Sequence, residues 1–300
     1  MSFLAITADD FGLAQEINEA VAIAHRKGVL SAASLMVSAP FAADAVDRAR
    51  AMPSLRVGLH LAVTNAQPAL PPEAIPDLVD PQGRLSGDLV GLGVRLALSG
   101  RARRQMRAEI EAQFAAFRAT GLPLDHVNVH QHFHLHPIVA TMVIEIGKRF
   151  GARALRVPRE PPRIVRDVEP VAPERRLIES ACAHLLKAKA DRAGFLTPDG
   201  VFGLRWSGGV TARRLAGLIP MVPPGFWEIY AHPATRNNFP GCGPGYRHAD
   251  ELAALVAPET EAALRKAGHE VGGYRDARRR AKEAVVADTP SVAVRGANDG

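Results

Sequence analysis

The chain has 300 residues, of which 47% are hydrophobic and 23% charged, and its formal net charge is +6. This composition is close to that of ordinary globular domains and excludes disordered, collagen-like and coiled-coil chains. Its two cysteines, Cys182 and Cys242, are too few for a disulfide scaffold or a cysteine-based zinc finger.

Short apolar runs alternate with longer amphipathic ones, which is the order typical of β/α units. Strands are expected at residues 3–8, 34–37, 56–63, 125–130, 154–157 and 226–231, and helices at residues 14–27, 41–52, 101–120, 137–151, 163–193, 249–256 and 258–267. No internal repeat and no linker-like change of composition interrupts this pattern. It therefore predicts one α/β domain over residues 1–285 and a flexible tail over residues 286–300.

Two segments between the third strand and the helix at 101–120 stand apart from the pattern. Residues 65–87 form a proline-rich connection that is longer than an ordinary β/α loop, which indicates a lid or a substrate loop. Residues 85–98 crowd leucine and valine together, and either an apolar groove or a core helix under the loop explains that composition.

Targeting and partner signals are weak. The first residues have no basic segment before their apolar run, and no apolar stretch reaches about 18 residues, so we expect neither a signal peptide nor a membrane span. Basic segments at residues 101–104 and 275–282 lack the interleaved aromatic residues of a nucleic-acid platform. We expect a cytoplasmic protein that does not bind nucleic acid, with at most weak contact to the inner membrane surface. The oligomeric state stays open, with a homodimer among the options.

Three groups of polar residues fall at the ends of predicted strands. Asp9 and Asp10 follow the first strand, His60 lies in the third, and a histidine-rich run occupies residues 130–136. The carboxyl ends of parallel strands are where β/α folds place their sites. Each group also has a structural explanation: a helix N-cap, a hydrogen-bonded core histidine and a surface histidine patch.

Taken together, these groups supply the imidazole and carboxylate ligands that suit Zn²⁺ or another divalent ion. If the histidine run is extended, its alternate members share one face, and Pro137 limits the ligands to the first one or two. Alternation along the first strand would let one aspartate bind metal while its neighbour acts as general base. His232, at the end of the late strand, is either a candidate acid or a residue that only bonds a loop.

Two other classes of protein compete with this interpretation. A glycoside hydrolase uses two carboxylates on separate strands, about 5–9 Å apart, which adjacent Asp9 and Asp10 do not suit. A non-catalytic, metal-dependent sugar-binding protein would keep the metal ligands but would need neither a base nor an acid.

Four motifs in order resemble the YdjC-like carbohydrate deacetylases: ADDFG at 8–12, GLHL at 58–61, HVNVHQHFHLHP at 126–137 and EIYAHP at 228–233. The resemblance extends over residues 3–275. It implies a distorted (β/α) barrel of the polysaccharide-deacetylase type and metal-dependent removal of an acetyl group from an N-acetylated amino sugar.

The resemblance also implies roles for individual residues. One divalent ion would be bound by Asp10, His60 and His130, with zinc expected first and magnesium, manganese, nickel or cobalt as alternatives. Asp9 matches the base, His232 the acid, and Arg156 an arginine beside the base. Substrate contacts are expected from His132, His134, Phe11 and Glu160.

Within the family, the segments at residues 83–100 and 155–162 look most like the hopanoid-biosynthesis-associated branch. That branch implies N-acetylglucosaminyl hopanoid, a glycolipid, as substrate; a chitooligosaccharide such as diacetylchitobiose is the alternative. The chain departs from the usual motifs at Asn128, where relatives often carry Asp, and at Ala234, where Gly is usual. Neither position is an expected ligand.

Overall fold

The fold is built on a curled sheet of parallel strands, seen in a computed structural model that describes residues 2–170 and 177–287. The strands are β1 (Ser2–Phe11), β2 (Ala32–Leu35), β3 (Arg56–Leu61), β4 (Val127–Val129), β5 (Gly200–Phe202), β6 (Gly225–Ala231) and β7 (Glu270–Val271). Their order is β4-β3-β2-β1-β6-β5, with β7 beside the start of β1. β1, buried along its whole length, is the centre of the sheet.

The parallel pairing brings the carboxyl ends of the strands to one edge. β1 pairs with β6 from Ser2–Gly225 to Ala8–Ala231, and it pairs with β2 from Thr7–Ala32 onward. Isolated bridges at Val127–Leu155 and Ala154–Leu196 continue the curl from β4 towards β5. The predicted α/β fold, a distorted barrel in a single domain, is confirmed.

Helices surround the sheet, some packing on its strands and others on neighbouring helices. They are α1 (Gln15–Lys27), α2 (Ala42–Arg50), α3 (Leu89–Leu98), α4 (Gly100–Ala119), α5 (Pro137–Arg149), α6 (Pro162–Val168), α7 (Leu177–Arg192), α8 (Ala212–Leu218), α9 (His248–Val256), α10 (Pro258–Ala267) and α11 (Tyr274–Ala287). In α4 the residues at helical spacing from Met106 to Phe117 are buried, as the sequence predicts. Among the described residues, no helix is both long and apolar enough to cross a bilayer.

Some predicted elements differ from the observed ones. The strand expected at 154–157 is reduced to two single bridges, and the second strand begins two residues earlier than expected. The helix expected at 163–193 is two helices, because Glu169 adopts an extended backbone before Pro170, as residues preceding proline do. Residues 171–176 of that helix, and residues 288–300 of the expected flexible tail, lie outside the described residues.

The connection after β3 is fastened to α4. The buried carboxylate of Glu109 accepts the backbone N–H groups of Ala69 (2.7 Å) and Leu70 (3.0 Å). The leucine-rich segment that follows is helix α3, and the interpretation as a core helix holds for one of its faces. Its Leu92 and Leu96 are buried in the core, whereas its opposite face is apolar and exposed.

Candidate active site

The end of β1 brings two carboxylates into the mouth of the barrel. The pairing of β1 with β2 is irregular between Ala8 and Phe11, and Asp10 has a left-handed backbone with φ of 61°. Aspartate tolerates this conformation better than most residues. The expectation of simple alternation along the strand is therefore wrong, because the irregularity lets Asp9 and Asp10 both reach the same site.

Asp10, His60 and His130 meet in a compact triangle. His60 Nε2 lies 3.1 Å from Asp10 Oδ1, His130 Nδ1 lies 3.2 Å from the same oxygen, and the two nitrogens are 3.2 Å apart. Ligands around one tetrahedral or octahedral ion, at bonds of about 2.0–2.2 Å, are separated by roughly 3 Å. The three residues therefore form a group that can hold a single metal ion.

The electrostatics of this triangle also suit a cation. Burial opposes ionisation of Asp10, but His130 and His60 hold the pKa of its carboxyl well below the usual range. Burial likewise disfavours the charged form of His60, yet Asp9 and Asp10 raise the pKa of its imidazole above the ordinary value. A place where buried carboxylates favour positive charge on a neighbour is a place that favours a bound cation.

Asp9 is held by a buried arginine. Arg156 donates from Nη1 to Asp9 Oδ2 (2.5 Å) and from Nη2 to Asp9 Oδ1 (3.0 Å). The same guanidinium donates from Nε and Nη2 to Glu228, both at 2.8 Å. Burial works against the ionised form of Asp9, but Arg156 outweighs it and lowers the pKa of the carboxyl. Asp9 is thus an ionised acceptor beside the metal-ligand triangle.

His232 faces the two aspartates from the end of β6. Burial lowers the pKa of its imidazole, while the charges of Asp10 and Asp9 act in the opposite direction. Behind it, Glu251 Oε2 lies 4.0 Å from His232 Nδ1 and accepts the His232 backbone N–H at 2.5 Å. The structure therefore brings His232 to the site together with a buried carboxylate that the sequence did not indicate.

The histidine run does not continue the strand. β4 ends at Val129, and residues His130–Leu135 form a tight turn in which Gln131 and His132 have φ of 53° and 55°. This breaks the predicted alternation, so only His130 joins the triangle. His132 is partly exposed with Nε2 3.3 Å from the Tyr230 hydroxyl, whereas buried His134 bonds the Arg156 carbonyl through Nε2 at 2.9 Å.

Two residues predicted to contact the substrate make other contacts in the structure. Phe11 is a fully buried member of the hydrophobic core and has no surface to offer a substrate. The Glu160 carboxylate instead accepts the backbone N–H groups of Gly203, Leu204 and Arg205, at 2.9–3.0 Å. Glu160 therefore fastens the loop after β5.

Sequence reasoning missed several residues at the site. Glu228 and Tyr230 alternate with His232 along β6, and this period of two could have assigned all three to the barrel interior. The Tyr230 ring lies 4.5 Å from the Arg156 guanidinium carbon. Glu251 had no local signal, because it comes from α9 and meets His232 only through the fold.

Comparison with known proteins agrees with this architecture. A family model described as YdjC-like protein matches residues 3–266. The chain belongs to the YdjC-like family. This YdjC-like chain is 29% identical to a carbohydrate deacetylase of Geobacillus stearothermophilus, covering 90% of this chain and 96% of that protein. It is 30% identical to a carbohydrate deacetylase of Mus musculus, covering 88% and 91% respectively.

A solved structure gives the same fold. The crystal structure of an Enterococcus faecalis protein, named for cellobiose-phosphate cleavage, superposes with a TM-score of 0.72 at 22% identity. The match covers 92% of the YdjC-like chain and 98% of the other. At this identity the likeness concerns the fold.

Proposed function

We propose that this YdjC-like protein is a metal-dependent carbohydrate N-deacetylase that releases acetate from an N-acetylated amino sugar. The observation that carries the proposal is the triangle of Asp10, His60 and His130 beside Asp9, an ionised carboxylate held by Arg156. Its relatives named carbohydrate deacetylase support the same reaction.

The base in this scheme is Asp9. Its carboxylate accepts the proton of the attacking water, while Arg156 and the Asn128 amide, which donates to Asp9 Oδ1 at 3.0 Å, hold it in place. A carboxylate with a lowered pKa is a weak base, so the water must be unusually acidic. A divalent ion held by Asp10, His60 and His130 would supply that acidity and would polarise the acetyl carbonyl.

The acid in this scheme is His232. It donates a proton to the nitrogen of the departing amine, which yields acetate and a free amino sugar. Burial is the larger effect and keeps the pKa of His232 below its ordinary value, while the charges of Asp10 and Asp9 oppose burial and favour the imidazolium form that this step requires. We also propose a sugar contact for His132, which is partly exposed and lies beside Tyr230.

A non-catalytic sugar-binding protein explains less of this geometry. Metal binding requires only the triangle, whereas the Asp9–Arg156–Glu228 arrangement buries three charges whose desolvation is costly. A catalytic base held in one orientation gives that arrangement a reason.

For the substrate we propose the glycolipid N-acetylglucosaminyl hopanoid, with chitooligosaccharides as the alternative. Support comes from α3, whose Val90, Val94 and Leu98 are 79%, 53% and 81% exposed and lie one helical turn apart. Gly93 of the same helix packs on His136, at the end of the histidine turn. An apolar tail could therefore lie along α3 while the sugar enters the barrel.

The basic segment at 275–282 does not share that position. α11 begins at the amino ends of the strands, where Asp125 accepts the N–H groups of Tyr274 (3.0 Å) and Arg275 (2.9 Å). This is the edge of the sheet opposite the triangle. We therefore assign the proposed membrane contact to α3.

A cavity of about 480 Å³ opens at the same edge as the triangle and is a candidate subsite for the part of the substrate remote from the acetamide. It is lined by residues that follow β1, β2 and β3, among them Leu13, Met36 and Gln67, with Arg84 and Arg236 also in its wall. Apolar walls with a few polar groups suit a sugar that carries an apolar substituent.

The test is acetate release by the purified protein, with and without a chelator, from N-acetylglucosaminyl hopanoid and from diacetylchitobiose. Chelator-sensitive release from the glycolipid alone would support the reaction and the lipid substrate. Release from diacetylchitobiose alone would keep the reaction and overturn the glycolipid proposal. No release from either substrate by a metal-loaded protein would favour the sugar-binding alternative.

A further inference from the structure

A chain of buried hydrogen bonds runs through the barrel beneath the triangle. His126 lies between Asp125 and Ser34, with Nδ1 2.9 Å from Asp125 Oδ2 and Nε2 3.0 Å from Ser34 Oγ. Asn128 continues the chain, because its Nδ2 donates to Ser34 Oγ at 2.9 Å and to Asp9 Oδ1 at 3.0 Å. Its Oδ1 lies 2.7 Å from His60 Nδ1.

The chemistry of the two ends fixes the direction of every bond. Asp125 also accepts the N–H groups of Tyr274 and Arg275, so it acts only as an acceptor and requires a proton on His126 Nδ1. The bare Nε2 of His126 then accepts from the Ser34 hydroxyl, whose oxygen is left to accept from the Asn128 amide. The Asn128 oxygen therefore accepts from His60 Nδ1–H, which leaves the lone pair of His60 Nε2 directed into the triangle.

Burying this chain of hydrogen bonds costs desolvation free energy, and the fold leaves space for its His126 ring. Ser34, His126 and Asn128 are fully buried, and buried polar groups are expensive unless all their bonds are made. A Cβ on Gly58 would lie 2.5 Å from His126 Cε1, so the glycine of the GLHL motif gives the ring its space. The Tyr274 ring stacks on the other side, with centroids 4.7 Å apart.

The Ser–His–Asp order is that of a hydrolase triad, but it does not serve as one here. Ser34 Oγ already bonds His126 and Asn128 inside the core, where no substrate can reach it. The chain must act through the residue at its upper end, Asn128.

We propose that Asp125, His126 and Ser34 are positioning residues that set the orientation of the Asn128 amide and, through it, the tautomer of His60. A flipped amide would point its oxygen at the Asp9 carboxylate and its NH₂ at His60 Nδ1. His60 would then carry its proton on Nε2, where it blocks metal binding. This inference rests on the proposed role of His60 as a metal ligand.

The direct test needs no substitution. Ring ¹⁵N–¹H correlation spectra of the metal-free protein, recorded at pH 9, above the ordinary pKa of imidazole, report which nitrogen of each histidine carries the proton. We expect the proton on Nδ1 in both His60 and His126. A proton on Nε2 of either ring would overturn the proposal.

Ser34→Ala tests the coupling between the chain and the triangle. We expect a second His60 population with the proton on Nε2 and about tenfold weaker Zn²⁺ affinity in chelator competition, the lower end of losses typical when a group orienting a ligand is removed. Ser31→Ala is the matched control, because this buried serine precedes β2 and its hydroxyl bonds only Ile6 and Gly272.

The outcomes separate this inference from the proposed function. Ser34→Ala with the Zn²⁺ affinity and the His60 spectrum of the Ser31→Ala control would overturn the positioning role while the deacetylase activity of the unaltered protein stands. Should Ser34→Ala not fold, the spectra of the unaltered protein decide. Protons on Nδ1 of both rings without Zn²⁺ binding would support the chain and overturn the metal-dependent function.

Discussion

At the scale of single residues, Arg156 is the positive charge that pairs with the buried carboxylates of the site. Its side chain is fully buried between two carboxylates, and its planar guanidinium donates to both oxygens of Asp9 and of Glu228. The Tyr274 hydroxyl donates to Glu228 at 2.5 Å, so a hydrogen-bonded path leads from α11 to Asp9, the proposed base. A lysine could not replace this fork, because its ammonium is a point donor.

The first prediction concerns Asp9. Asp9→Asn should lower kcat for acetate release by about 10²–10⁴-fold, since the amide cannot accept the proton of the attacking water. The bound-metal content should stay near that of the parent protein, because Asp9 is not part of the triangle. Asp10→Asn is the matched comparison and should lose metal. Acetate assays combined with metal analysis distinguish the two, and an active Asp9→Asn would contradict the assigned base.

The second prediction concerns Glu251 and pH. Burial raises the pKa of Glu251 to about 7 from the model-compound value of 4.5. A carboxyl whose pKa is higher in the folded than in the unfolded state stabilises the fold most at a pH below its unfolded-state pKa. That stabilisation is lost as the pH rises through the folded-state pKa, here about 7. The free energy of unfolding of the parent, minus that of Glu251→Gln, should therefore fall by roughly 3 kcal/mol between pH 4.5 and 8. Denaturant titrations at both pH values measure it; a constant difference would refute the raised pKa.

At the scale of elements, the strand ends and the turns that follow them create the site. β1 ends in an irregularity at Asp10, and β4 gives way to a left-handed turn directly after Val129. The irregularity in β1 lets Asp9 and Asp10 reach the same site, whereas the turn after β4 keeps the later histidines of the run out of the triangle. β3 contributes differently, by leaving space at Gly58 for the His126 ring.

The third prediction tests that space. Gly58→Ala should lower the free energy of unfolding by about 1–3 kcal/mol, because its methyl would meet a ring held by hydrogen bonds on both nitrogens. Gly87→Ala is the control, since its Cβ would have no neighbour nearer than 3.7 Å. Chemical denaturation of both variants measures the difference, and equal stabilities would show that the ring has room to move.

The fourth prediction tests the exposed face of α3. Val90→Ser with Leu98→Ser should lower acetate release from glycolipid in vesicles by at least about tenfold, because burying each apolar side chain contributes roughly 1.5 kcal/mol. Release from diacetylchitobiose should change less than about twofold if that soluble sugar is also accepted. The control is Leu185→Ser on α7, which removes a comparably exposed leucine (66%) elsewhere. If the Val90→Ser/Leu98→Ser variant and the Leu185→Ser control lost equal activity towards the glycolipid, α3 would have no specific part in lipid recognition.

At the scale of the whole molecule, the parallel sheet has two different edges, formed by the carboxyl ends and the amino ends of its strands. Asp9, Asp10, His60 and His130 follow or end strands at the carboxyl edge, whereas α11 with its arginines starts from the amino edge. The buried chain from Asp125 to Asn128 connects the two edges through the core. Metal binding should therefore stabilise the whole fold.

The fifth prediction measures that stabilisation. Zn²⁺ at one hundred times its dissociation constant should add about 2.7 kcal/mol to the free energy of unfolding, because the ion binds the folded state. The Tm should rise accordingly, and His130→Ala should abolish the rise. His269→Ala, which alters a histidine bonded only to the Ile219 carbonyl, should keep it. A Tm independent of Zn²⁺ in the parent protein would argue against the triangle as a metal site.

The sequence predicted more of the fold than of its local detail. The buried face of α4 and the apolar strands β1 and β6 could be predicted, because each follows from a local pattern of hydrophobic residues along the chain. The histidine turn could not be predicted in this way, because neither of its left-handed residues, Gln131 and His132, is a glycine, the residue type that usually marks such a turn. Pro170 does mark the interruption of the helix expected at 163–193, and it could have been used to predict two helices there.

By itself the sequence determined the β/α order, the family motifs and the residue types that can bind a metal, because these are properties of neighbours along the chain. Only the tertiary structure decided that His130 alone of its run joins Asp10 and His60, and that Asn128 lies beside His60. It also decided the partner of His232, since Glu251 is 19 residues away in the chain. For Arg156, which the resemblance implied beside Asp9, it supplied the two hydrogen bonds that span 147 residues of chain. Such contacts depend on how strands align across the sheet, and no local spacing encodes that alignment.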